Sequence, residues 1–142
     1  MRENGKPPNK TIEEWLRFAC ENFVVAEHEL EYQEPAYHTI CFLCQGSAEK
    51  YLKAYLIFEG WELKKTHDIV ELLEYCSDYD KSFDQLIEGG YILNDYITDG
   101  RYPGDISFET IGIEQAKEAY NAVKKIRQFV EKRINPKGDI GE

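Results

Sequence analysis

Residues 35–60 read PAYHTICFLCQGSAEKYLKAYLIFEG, a run with no internal proline that Pro35 opens and Gly60 closes, the punctuation expected of one long helix. On a helical wheel Tyr37, Cys41, Cys44, Ala48, Leu52 and Tyr55 form a continuous apolar face. Ile40, Leu43, Tyr51, Ala54 and Phe58 widen it far beyond the stripe of an ordinary surface helix. Gln45, Gly46, Glu49, Lys50 and Lys53 occupy the remaining arc, and Phe42, Leu56 and Ile57 interrupt even that. Such a helix belongs at the centre of a bundle, covered by its neighbours and, on this reading, by a second chain. Gln45, Glu49 and Lys53 recur at four-residue steps with the glutamate before the lysine, the better orientation for an ion pair.

The flanking segments repeat the helical pattern. Ile12, Trp15, Leu16, Ala19, Phe23, Ala26 and Leu30 predict an amphipathic helix over residues 11–32, capped by Thr11 with Glu14 as its box partner. Its other face is acidic and reads as solvated. The short break at Gln33 and Glu34 predicts an antiparallel hairpin with the central helix. Downstream, Thr66 is the expected cap of a third helix carrying Ile69, Leu72, Leu73 and Cys76. Residues 82–98 predict a fourth helix, broken or kinked at Gly89-Gly90. A turn follows at Arg101-Tyr102-Pro103-Gly104, and a last helix covers residues 113–134. Residues 1–10 and 135–142 are expected to be flexible tails around one all-α, up-and-down bundle of four to five helices over residues 11–134.

Composition narrows the function. With 142 residues, 42% hydrophobic and 31% charged, the chain suits one globular domain. Its formal net charge of -10 argues against general affinity for nucleic acid, whose phosphates are met chiefly by lysine and arginine. No apolar run is long enough for a membrane span, and the four cysteines, scattered over predicted helices, read as free thiols in a reducing cytoplasm. Cys41 and Cys44 form a C-x-x-C inside the apolar face without a second ligand pair, so they read as core rather than as a metal site. His28, His38 and His67 stand far apart, and no catalytic triad or glycine-rich phosphate loop is present. No cofactor signature emerges.

Three polar clusters remain: Gln45 to Ala54 on the central helix, Thr66-His67-Asp68 at a helix start, and Arg101-Tyr102-Pro103. Each also has a plain structural reading, as an ion pair, a helix cap and a loop arginine tied to a carboxylate. Glu49 is the first expected partner of Arg101 and Asp68 the second. Lys50 and Lys53, with His67 and its helix N-terminus, could instead make a local anion site in an acidic protein. The competing reading is that both lysines simply pair with Glu49 or nearby acids.

In their order and spacing the clusters resemble the HEPN domain family (higher eukaryote and prokaryote nucleotide-binding). The resemblance spans nearly the whole chain: the Trp15 helix, the Q-x-x-x-E-K-x-x-K-A run from Gln45 to Ala54, T-H-D-I from Thr66 to Ile69, and R-Y-P from Arg101 to Pro103. It implies a four- or five-helix bundle, commonly dimeric, and often a nucleotidyltransferase partner in a toxin–antitoxin-like pair. The ligand-binding candidates are then Gln45, Glu49, Lys50, Lys53, His67, Asp68, Arg101 and Tyr102, with no catalytic or metal-binding residue. Ribonuclease members of the wider family carry an arginine followed after four to six residues by histidine. Here Arg101 meets Ile106, Ser107 and Phe108 in that window, and no other arginine finds a histidine. The expectation is therefore a non-catalytic nucleotide-binding module and homodimer, the rivals being a ribonuclease toxin with a degenerate site and a purely structural dimerisation module.

Overall fold

The computed structural model describes residues 9–96 and 111–134. Five α-helices and one 3₁₀ segment follow in order: α1 Asn9–Leu30, α2 Tyr37–Phe58, α3 Ile69–Tyr79, the 3₁₀ turns Lys81–Leu86, α4 Ile87–Asn94 and α5 Ile113–Ile134. The fold is all-α, as the periodicity predicts. Arg101, Tyr102 and the turn expected around them lie outside the described residues, as do residues 1–8 and 135–142.

α1 and α2 are antiparallel partners. Ser47 Oγ on α2 donates to the Ala19 carbonyl on α1 at 2.8 Å, and the Ala36 N–H just before α2 donates to Glu29 near the end of α1 at 2.9 Å. α2 begins at Tyr37, two residues after Pro35, and stops where expected. Gly60 takes φ +98, and the Gly60 and Trp61 N–H groups close onto Ile57 and Leu56 carbonyls at 3.0 and 2.9 Å. That is a Schellman end, which any residue with a Cβ would strain.

α2 is indeed central. Every residue from Tyr51 to Ile57 is buried, and α1, α3 and α5 all pack on it. Its apolar width is thus covered by the chain's own helices, and the width alone does not call for a second chain. Cys41, Cys44 and Cys76 are buried free thiols, and burial pushes the Cys41 thiol up to about 11. They pack as core.

Three boundaries differ from expectation. Thr11 lies inside α1, which begins at Asn9. Thr66 is not the cap of α3: Asp68 is, accepting from the Glu71 N–H at 3.0 Å, while Thr66 accepts from Asp68 N–H and donates to the Glu71 carboxylate at 2.7 Å. The segment after α3 is not one helix broken at its glycines. Asp80 instead starts a 3₁₀ run by accepting from Ser82 N–H at 3.0 Å, and α4 runs unbroken through Gly89 and Gly90. Those glycines are contact points. A Cβ on Gly90 would come within 2.8 Å of Leu73 Cδ1, and one on Gly89 within 3.1 Å of Ala122 Cβ. Close approach of α3 and α5 outweighs the intrinsic helix cost of glycine, about 1 kcal/mol.

Asp80 also ties α5 down, accepting from Arg133 Nε at 2.7 Å, while Arg133 donates to Ser82 Oγ at 2.7 Å. The Ser82 hydroxyl, then Arg133, hold the Asp80 carboxyl down at about 2. A carboxylate depressed in the folded state stabilises above its unfolded value, near 3.9, and that contribution is lost as pH falls through about 2. Thermal unfolding of the wild type should therefore move to lower temperature between pH 4 and pH 2 more steeply than that of Asp80→Asn. Equal slopes would exclude Asp80 as an acid-sensitive tie.

Candidate functional site

The polar row of α2 does not face open solvent. Gln45 is 3% exposed and Lys53 4%, although both are polar. A buried ammonium needs a partner. Lys53 Nζ reaches Glu49 Oε2 at 2.8 Å, one turn back along the helix, and lies 5.9 Å from the centroid of the Trp15 ring on α1. The i, i+4 spacing is therefore an ion pair sealed by an aromatic lid, not a surface ornament.

Above it runs the segment between α2 and α3, which delivers His67. Trp61 packs on Tyr75 of α3 with ring centroids 5.4 Å apart, and Lys64 Nζ sits 4.8 Å over Tyr75. Thr66 is tied to Glu71, and Asp68 caps α3. Asn94, at the end of α4, locks the same corner: its Nδ2 donates to Asp68 Oδ1 at 2.8 Å and its Oδ1 accepts from Ile69 N–H at 2.7 Å. So anchored, the loop places His67 Nδ1 at 3.1 Å from both oxygens of Glu49, and its carbonyl 3.0 Å from Gln45 Nε2.

The arrangement is a chain of groups, Lys53–Glu49–His67, running from buried cation to exposed imidazole. Burial disfavours ionised Glu49, yet hydrogen bonds from Lys53 and His67 outweigh it and hold the carboxyl below its ordinary value. The carboxylate in turn keeps a proton on Nδ1. That leaves Nε2 as the outer nitrogen of a ring 58% exposed. Lys50 sits apart. Its Nζ lies 3.5 Å from the Gly46 carbonyl beside Asn22 of α1, it has no carboxylate partner among the described residues, and burial lowers its pKa.

Of the eight candidates, four converge: Gln45, Glu49, Lys53 and His67. Asp68 adjoins them but is engaged in capping α3 and holding Asn94. Lys50 lies on the α1 side of the helix, and Arg101 and Tyr102 fall outside the described residues. For Lys53, pairing with Glu49 is the outcome; for Lys50 it is not. Sequence reasoning missed Trp15 as the cover of Lys53 and Asn94 as the clamp on α3. Only the D-x-x-E spacing of Asp68 and Glu71, a helix-start signature, pointed to the true cap.

A separate groove of about 230 Å³ lies between α4 and α5, with Gln85, Glu88, Glu118 and Lys125 on its walls. None of the eight candidates lines it. Among the described residues no group of three or more His, Cys, Asp or Glu could hold a metal ion, and no helix is long and apolar enough to cross a membrane.

An antiparallel helical bundle with a polar row buried on its central helix and a histidine loop clamped across it defines the class. The sequence matches the HEPN domain over residues 12–133, and the chain belongs to that family. Its structure is similar to the crystal structure of TT1696 from Thermus thermophilus, with a TM-score of 0.73 at 27% identity, covering 86% of this chain and 97% of that one. It is similar too to ST0689, an archaeal HEPN homologue, with a TM-score of 0.71 at 26% identity over 87% of this chain and 98% of the other. No curated protein gives a significant match.

Proposed function

We propose that the chain is a non-catalytic nucleotide-binding and interaction module of the HEPN family. On this reading it acts as a homodimer in a two-component, toxin–antitoxin-like pair with a small nucleotidyltransferase in the cytoplasm. The observation that carries the nucleotide reading is the convergence on His67: a buried ion pair holds an exposed imidazole in one tautomer next to the helix bearing Lys50. In a chain of net charge -10, a half-buried lysine without a carboxylate partner among the described residues is a place where an anion lowers the free energy. On this reading Lys50 and His67 are the phosphate-facing groups, with Arg101 and Tyr102 as further candidate ligand residues. Gln45, Glu49, Lys53 and Asp68 position His67 and its loop.

Calorimetric titration of ATP and other nucleotides tests this. Binding is expected in the wild type, with affinity falling about tenfold or more in Lys50→Ala and in His67→Ala, as loss of a charge-assisted contact implies. No heat at millimolar nucleotide, or binding indifferent to both substitutions, overturns the reading.

The Glu49–His67 pair also favours one rival. A carboxylate-oriented imidazole is the arrangement of a general base. Metal-free protein that cleaves single-stranded RNA, and loses that activity in His67→Ala, would replace the non-catalytic reading with a ribonuclease one. No cleavage is expected.

A further inference from the structure

Among the described residues, Tyr51 Oη is the one buried side-chain polar atom that finds no hydrogen-bond partner. The residue is 1% exposed, and burial pushes its phenol above the ordinary range, so the group stays a neutral O–H donor. A buried donor without an acceptor is costly, and native cores rarely keep one without a use for it.

The helix packing shows what the hydroxyl meets. Ser47, one turn earlier on α2, is bonded to the Ala19 carbonyl of α1. Tyr51 enters the same seam, where Cys20 of α1 and Arg127 of α5 are its neighbours. Arg127 is fixed in place. Its Nε donates to Glu131 at 3.0 Å, and its guanidinium lies 4.7 Å from the ring centroid of Phe23, one turn along α1 from Cys20. Cys20 differs from the other three thiols: Cys41, Cys44 and Cys76 are buried, whereas Cys20 is partly exposed. It is the thiol that a small solute can reach, and a buried O–H donor stands behind it.

A thiol sulfur is a weak acceptor and leaves the Tyr51 hydroxyl unmet. An oxygen bonded to that sulfur is a strong acceptor, and the nearby guanidinium favours its anionic form. We propose that Cys20 is a redox-modification site, oxidised by hydrogen peroxide to a sulfenic acid whose oxygen accepts from the Tyr51 hydroxyl. The Cys20 thiolate attacks one peroxide oxygen, so an S–O bond forms and the O–O bond breaks. Sulfur loses two electrons and the peroxide gains them. The departing hydroxide takes up the thiol's proton and leaves as water. The modification is independent of the nucleotide reading, since none of its residues belongs to the His67 site.

Peroxide treatment of the full chain, followed by dimedone and peptide mass spectrometry, tests it. One dimedone adduct is expected, on Cys20, and none on Cys41, Cys44 or Cys76; Cys20→Ser should take up no label. In Tyr51→Phe the sulfenic acid should pass to sulfinic acid about fivefold faster, the effect of losing one net hydrogen bond. The reduced forms supply the control: reduced Tyr51→Phe should melt no lower than reduced wild type, because the hydroxyl has no partner to lose. Absence of a Cys20 adduct, or labelling spread over the buried cysteines, overturns the site. Equal rates of further oxidation in wild type and Tyr51→Phe, or a reduced Tyr51→Phe that melts well below wild type, overturn the role of the hydroxyl.

Discussion

Glu49→Gln is expected to destabilise the protein by about 3 kcal/mol or more, because it strands the buried Lys53 ammonium. Lys53 keeps the Trp15 ring at 5.9 Å, and an aromatic face offsets only about 0.5–2 kcal/mol of a lost carboxylate. The substitution also leaves a single acceptor oxygen where Lys53 and His67 now share two. For a chain of this length the melting temperature should fall by roughly ten degrees. Adding Lys53→Met should recover much of the loss, since the double variant leaves no unpaired buried charge. His67→Ala, by contrast, removes an exposed ring and should cost no more than about 1 kcal/mol. A loss below about 1 kcal/mol in Glu49→Gln would mean that Lys53 finds water or another partner.

Phe83→Ala is the second large effect. Phe83 is fully buried in the 3₁₀ segment, its ring 4.7 Å from Tyr55 of α2 and 5.6 Å from Phe129 of α5. The Arg133 guanidinium sits 5.4 Å over it. One side chain thus joins the connector to two helices, and truncation should cost about 3–5 kcal/mol through lost transfer energy plus a cavity. Urea unfolding monitored by circular dichroism measures it. A midpoint shift equivalent to under about 1 kcal/mol would show that the aromatic cluster closes over the gap.

The helices were legible in the sequence because their signals are local. The apolar faces of α1, α2 and α5 recur at helical spacing, and Gly60 marks the end of α2 with a left-handed residue. The Glu49–Lys53 pair was legible for the same reason, being four residues apart on one helix. What was not legible depends on other elements. Gly89 and Gly90 read as breakers until α3 and α5 are seen pressing against them. Thr66 and Asp68 are both good caps; the Glu71 N–H bonds to the second, which Asn94, 26 residues further on, also clamps. That His67 would fold back over Glu49, or that Trp15 would cover Lys53, follows from loop and helix packing that no periodicity encodes. Burial of Lys53 was invisible for the same reason.

The nucleotide reading is tested most directly at the imidazole itself. The chain has three histidines, so the ring signals of His28, His38 and His67 can be followed one by one by proton–carbon NMR during titration with ATP. The expected result is that His67 shifts saturably with nucleotide while His28 and His38 follow only weakly, and that Lys50→Ala abolishes the His67 response. A His67 signal unmoved at millimolar nucleotide, or a saturable response confined to His28 or His38, would contradict it.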